Sequence, residues 1–236
     1  MTAIAVDATH VYAAVMKLGR ASIVRVAKVG GTPDVIVAKT GSVTGLIADG
    51  GSLVRAETAV ETDDERSTTV VTADEIAKSG GIAEAVGART DHPARLVSVP
   101  VGGGEAHELA RLVAVPVGLA ADNNDFYMLS IGVWPKGGNI DTSAGAVIAV
   151  PRAGGAPRVV VERLARPTDL ELTAADVAWT SAGARWKVAK SGGPVTRLGP
   201  PPPRRAIPAD ASDGSSVYRA VHDPVADRTR IVAREP

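Results

Sequence analysis

The sequence predicts an all-β chain built from repeated short strands, and three observations predict it. Apolar runs of about five residues recur between turn signals along nearly the whole chain. The 25 Gly and 16 Pro punctuate the sequence at a density that suits many short strands better than long helices. Aromatic residues make up only 3%, so the core must come from Val, Ala, Leu and Ile, a β-branched set that favours strands.

The runs follow a repeat. One pattern is a short apolar strand ending in an acid, a turn, and a second strand. It reads Ile4-Ala5-Val6-Asp7 before Val11-Tyr12, and Leu46-Ile47-Ala48-Asp49 before Leu53-Val54. It returns as Leu119-Ala120-Ala121-Asp122 before Phe126-Tyr127, and as Leu170-Glu171-Leu172-Thr173 before Val177-Ala178. A looser fifth copy is Ile207-Pro208-Ala209-Asp210, with Val217-Tyr218 after a longer turn.

A second pattern joins two more strands through a Gly pair: Gly30-Gly31, Gly103-Gly104, Gly154-Gly155 and Gly192-Gly193. Gly-Gly between β-branched runs is a hairpin signal, because tight hairpin turns need positive φ. From the second Gly to the next acid position is 18 residues at three joints and 17 at the fourth. So steady an interval gives the outer strand, the crossover and the next inner strand one fixed geometry. Four short strands per unit with such joints describe the blade of a β-propeller. The expected blades are about 3–41, 42–115, 116–166, 167–199 and 206–236, the last incomplete, in a single domain.

Asp49 and Asp122 are 73 residues apart, nearly twice the other intervals. An insertion into the second blade at about 61–93 accounts for this. It opens on the charge run Glu61 to Arg66, and Thr72 with Glu75 has the form of a helix capping box. Two shrunken blades are the rival reading, since Ala77-Lys78-Ser79-Gly80-Gly81 repeats residues 189–193.

The units resemble the blades of bacterial six-bladed, TolB-like propellers and of the related YWTD propellers. Pro116-Val117-Gly118-Leu119, Val150-Pro151-Arg152 and Pro167-Thr168-Asp169-Leu170 carry the resemblance, which covers nearly the whole chain. It implies the fold, and it allows an exported or cell-surface parent protein. The aromatic slot departs from the pattern: Tyr12, Val54, Tyr127, Ala178 and Tyr218 occupy it, and only Trp179 keeps the Trp that follows.

Composition narrows the function. Lys plus Arg equals Asp plus Glu, 26 against 26, so the chain has no basic excess to neutralise phosphates, and no nucleic acid is expected. No apolar run reaches the length of a membrane span, and the N-terminus lacks the pattern of a signal peptide. With no Cys there is no thiolate site. His10, His92, His107 and His222 show no metal-ligand spacing, so neither metal nor cofactor is expected. The recurrent acids Asp7, Asp49, Asp122 and Asp210 are expected to cap turns rather than ring a cation, because a site needs unlike residues from different blades.

One loop of the third blade stands out, from Gly132 to Asp141. Trp134, Lys136 and Asn139 are its candidate ligand- or partner-binding residues, since a flat aromatic supplies recognition area at low entropic cost. The run Pro200 to Arg205 is expected to be a stiff spacer before the last blade. The expected function is a ligand- or protein-binding scaffold; a hydrolase or lyase working at the channel mouth is the alternative. The last blade stops after its third strand, so the ring is expected to be open or loosely closed. Residues 228–234 then form an edge strand through which the chain could self-associate.

Overall fold

Two turn types, repeated from blade to blade, set the architecture. The computed structural model describes residues 3–17, 20–58, 94–133, 140–201, 210–212, 216–223 and 228–234. All regular structure among them is strand. The first antiparallel sheet holds β1 (Ala3–Val6), β2 (His10–Lys17), β3 (Arg20–Ala27) and β4 (Asp34–Thr40). The second holds β5 (Ser42–Asp49), β6 (Ser52–Thr58), β7 (Ala94–Pro100) and β8 (His107–Leu112). The third holds β9 (Pro116–Ala121), β10 (Asp125–Ser130), β11 (Gly145–Pro151) and β12 (Arg158–Leu164). The fourth holds β13 (Thr168–Leu172), β14 (Asp176–Ser181), β15 (Ala184–Ala189) and β16 (Thr196–Gly199). The last has three strands among the described residues: β17 (Asp210–Ser212), β18 (Val217–Asp223) and β19 (Arg228–Arg234). Strand β6 pairs directly with β7, Thr58 opposite Ala94, so one sheet spans the long interval between the second and third acids. The capping box at Thr72 and Glu75 lies outside the described residues.

The four Gly-Gly turns share one geometry. Each first Gly donates its amide to the carbonyl three residues back (Gly30 to Ala27, Gly103 to Pro100, Gly154 to Pro151, Gly192 to Ala189). All eight glycines have positive φ, between 85° and 131°. Only glycine takes that conformation without strain.

The acid turns divide by sequence. Asp7 Oδ1 accepts the amides of Thr9 and His10, both at 2.7 Å, and Asp122 Oδ1 accepts those of Asn124 and Asp125 at 2.8 and 2.9 Å. Thr173 does the same with its hydroxyl, accepting the Asp176 amide at 2.9 Å. Asp49 differs. Gly50-Gly51 makes a two-residue hairpin there, and the carboxylate pairs with Arg152 of the next blade instead of capping its own turn. The side chain of Asp210 lies outside the described residues.

The Tyr slot belongs to the same device. Tyr12 is fully buried and donates its hydroxyl to Asp7 Oδ2 at 2.6 Å. Burial pushes the Asp7 carboxyl up, but the bonds from Tyr12, Thr9 and His10 outweigh it and hold it at about 2, below the ordinary 3.8. The carboxylate therefore adds stability that is complete above its unfolded value and lost as pH falls through about 2. Asp7→Asn is expected to flatten this acid dependence. Urea midpoints at pH 7 and pH 3 should draw closer together than in the wild type; an unchanged gap would remove Asp7 from the account.

Strand alternation gives each blade two faces, and the apolar clusters show how the faces stack. Tyr12, Ala14 and Ile23 of the first blade pack on Val43, Leu53 and Val99 of the second. Val54, Ala56 and Leu96 pack on Phe126, Met128 and Ile148 of the third. Tyr127, Leu129 and Val147 pack on Val177, Trp179 and Val188 of the fourth. The ring then resumes at the other end of the chain, where Tyr218 and Ile231 of the last blade pack on Ile4 and Val11 of the first. No apolar cluster among the described residues joins the fourth blade to the last. At that joint the fourth blade presents Ala178, Thr180, Arg185 and Lys187, where the first presents Tyr12, Ala14, Ile23 and Arg25. Ion pairs Glu171–Arg185 and Asp176–Lys187, both within the fourth blade, add to its polarity. The described blades thus run last, first, second, third, fourth, with no apolar cluster among the described residues between the fourth and the last.

Charged clasps reinforce the joints. Asp49 pairs with Arg152, whose guanidinium stacks 4.5 Å over the Phe126 ring. Asp122 pairs with Lys190 at 2.8 Å, the ammonium lying 5.7 Å from the centre of the Tyr127 ring. In each case an acid ending one inner strand meets a cation following the third strand of the next blade.

Candidate binding face

The strand registers place all Asp and Gly-Gly turns at one end of the blades. The crossovers and the connections between second and third strands lie at the other. Two of those connections are long and belong to adjacent blades. Residues 59–93 leave from Thr58 and return at Ala94; residues 134–139 leave from Val133 and return at Ile140. Trp134, Lys136 and Asn139 fall in the second, outside the described residues, so what can be described is the stem that carries them.

That stem is tightly specified. Val133 is buried against the core shared by the second and third blades, and it forms an isolated bridge with Asp141. The Asp141 amide donates to the Val133 carbonyl at 3.0 Å. The Asp141 carboxylate accepts the amide and the hydroxyl of Ser143, at 2.9 and 2.7 Å, and these bonds hold its pKa below the ordinary value. Ser130, fully buried, donates its hydroxyl to the Gly132 carbonyl and accepts the amides of Gly132 and Val115. The crossover from the second blade is bound in as well, through Val115 N to Gly132 O and Ile131 N to Val115 O, both 2.9 Å.

Gly132 is the tightest point. It has φ +157°, and a Cβ there would stand 1.9 Å from the Asp141 carbonyl oxygen. Gly132→Ala is expected to break the Val133–Asp141 bridge while leaving the sheets intact. Amide exchange should quicken at Val133 and Asp141 and stay slow in β10 and β11; unchanged protection at the bridge would refute the close approach.

A buried ionic cluster lies beneath the root of the 59–93 connection. Glu57, with no exposed surface, accepts from Arg55 Nε at 2.8 Å, from Arg95 Nη2 at 3.0 Å and from the Thr40 hydroxyl of the first blade. Sequence reading missed it, because Arg55 and Glu57 alternate within one strand and Arg95 arrives from beyond the insertion.

The other candidates are dispersed. His10 sits in the first acid turn with Nδ1 2.8 Å from the Thr9 hydroxyl, and His107 is exposed at the start of β8. His92 and the side chain of His222 lie outside the described residues, as does most of the proline run. Among the described residues no group of three or more His, Asp or Glu is arranged to hold a metal ion. The inner strands approach closely: a Cβ on Gly45 would stand 2.4 Å from Leu119 Cβ.

No family model matches the chain, and no curated protein matches it. Among solved structures it is similar to a chain of a nidogen/laminin complex, with TM-score 0.59 and 16% identity over 100% of this chain and 80% of that one. It is also similar to TolB from Acinetobacter baumannii, with TM-score 0.51 and 14% identity over 99% of this chain and 51% of that one. The chain thus spans about half the length of that TolB. Both are β-propellers, and at these identities the likeness is one of fold. The repeat, the five stacked sheets and these two structures agree: the chain is a β-propeller.

Proposed function

We propose that the protein is a binding module. In this reading it engages a protein partner through the end of the propeller that carries the second-to-third-strand connections, with Trp134, Lys136 and Asn139 as contact residues. One observation carries the reading: the two long connections spring from adjacent blades at the same end, and the shorter one stands on a stem pinned by Ser130, Gly132 and Asp141. A rigid stem lowers the ordering cost of binding by the loop it carries. The nidogen/laminin structure is of a complex, which supports a protein as the partner class. A hydrolase or lyase at the channel mouth is less favoured. It needs unlike polar groups free to act, whereas Asp7 and Asp122 are engaged by their own turns and Asp49 by Arg152.

The test is a displayed peptide library selected against the intact protein. Peptides that bind the wild type are expected to lose about 30-fold or more in affinity on Trp134→Ala, as a central aromatic anchor does. Selected peptides that bind Trp134→Ala and Lys136→Ala as tightly as the wild type would overturn the assignment of this face.

A further inference from the structure

The chain crosses from the first blade to the second at Gly41, from the second to the third through residues 113–115, and from the third to the fourth through residues 165–167. The joint between the last blade and the first has no such crossover, because the chain leaves the first blade for the second. Its buried apolar contact is Ile4, Val11 and Tyr218, beside the packing of β1 on β17. Farther from the inner strands the packing is incomplete. Val24 and Val26, paired with Ala13 and Val11, are half-buried. Their counterparts Val97 and Val99 in the second blade, and Ile148 and Val150 in the third, are at most 4% exposed. A cavity of about 310 Å³ lies between Val24, Val26 and Gly31 of the first blade and Tyr218, Ile231 and Ala233 of the last.

One cation reaches across this joint. The Lys28 ammonium lies 5.4 Å over the Tyr218 ring, as that of Lys190 lies 5.7 Å from the centre of the Tyr127 ring at the third-to-fourth joint. The two lysines are equivalent: each directly follows the third strand of its blade, and each is fixed by its amide to its own blade, Lys28 to the Thr9 carbonyl and Lys190 to the Ala175 carbonyl, both at 2.9 Å. The two tyrosines are equivalent as well, standing opposite Ala211 and Ala120 in register. We propose that Lys28 is a latch. With its charge over the Tyr218 ring the last blade stays docked on the first; without it the last blade rocks outward about the β1–β17 contact. A cation over an aromatic face gains from being partly withdrawn from water, and the incomplete packing around it leaves few other contacts to hold the blade. The latch lies at the end of the propeller opposite the loops assigned above and does not depend on that assignment.

The test uses spin labels on cysteines introduced at Val35 of the first blade and Val232 of the last, both exposed. Dipolar spectroscopy is expected to give a distance distribution about twice as wide or more in Lys28→Gln as in the labelled parent, as for a joint that has lost a holding contact. Lys28→Arg, which keeps the charge, should stay as narrow as the parent. Tyr218→Leu should also widen the distribution, and Lys28→Gln/Tyr218→Leu should be no wider than Tyr218→Leu alone, because the two residues act as one contact. Amide exchange in β10 and β11 should stay slow in every variant, which separates undocking of one blade from unfolding of the whole. An unchanged distribution in Lys28→Gln would overturn the proposal, as would Lys28→Arg as wide as Lys28→Gln. So would additive widening in the double variant, or loss of protection in β10 and β11 along with the widening.

Discussion

Glu57→Leu is expected to destabilise the protein by about 3–5 kcal/mol, the cost of removing one partner from a buried ion pair. Among the described residues the carboxylate is the only acceptor for the buried Arg55, whose Nη1 lacks a partner, and it also holds Arg95 and the Thr40 hydroxyl. Without it the Arg55 guanidinium stays between the first and second blades with no compensating charge. Arg95 is less exposed to the loss, being about a quarter accessible and 3.9 Å from Glu108. The double variant Arg55→Leu/Glu57→Leu should therefore recover most of the loss, because apolar residues of similar volume often replace a buried pair at little cost. Urea midpoints of the three proteins check this. A single variant within about 1 kcal/mol of wild type, or a double variant no better than the single, would show that the cluster does not hold the joint.

Trp179→Ala is expected to cost about 3–5 kcal/mol through lost burial and the cavity left behind. The side chain is 1% exposed and lies between the third and fourth blades against Tyr127, Leu129, Val147 and Val188. Its Nε1 has no hydrogen-bond partner, so part of the burial is already opposed by an unpaired donor. Trp179→Phe removes that donor and keeps much of the apolar volume. It should cost under about 1.5 kcal/mol. Thermal and urea melts of both variants decide the matter, and equal losses would mean that the ring is held by something other than packing.

The fold was legible because the repeat is written in local chemistry. The Gly pairs demand positive φ, the acids and Thr173 demand a turn, and the 18-residue interval demands a common joint. Each of these is readable within one unit. The expectation that every acid caps its own turn failed at Asp49, because Gly50-Gly51 closes that hairpin without help and frees the carboxylate for Arg152. The cations of the clasps, Arg152 and Lys190, were visible as sequence, but their role depends on which blade stands next to which. The same holds for Glu57, which replaces Val15, Ser130 and Ser181 of the other blades and finds its second guanidinium 38 residues away. The aromatic slot departs from the family pattern at Val54 and Ala178. Yet Tyr12 and Tyr127 are fully buried, and their hydroxyls bond to the acids five residues before them. Burial and the nearby Asp122 and Asp125 push the Tyr127 hydroxyl up to about 12, so it remains a donor at neutral pH.

Ring closure was only half legible. An opening was expected beside the last blade, and β19 is an edge strand among the described residues. The inner strands close that joint nonetheless, since β1 packs between β5 and β17. Among the described residues the joint without an apolar cluster is instead the one where the fourth blade turns a more polar face toward the last.

The order of the blades around the ring is the central claim, and the absence of Cys makes it directly measurable with pairs of spin labels on introduced cysteines. Suitable exposed positions are Val29 in the first blade, Val195 in the fourth and Val232 in the last. The account predicts that electron–electron dipolar spectroscopy gives a shorter, narrower distance for the 29/232 pair than for the 195/232 pair. A 195/232 distance equal to or shorter than the 29/232 distance would contradict it.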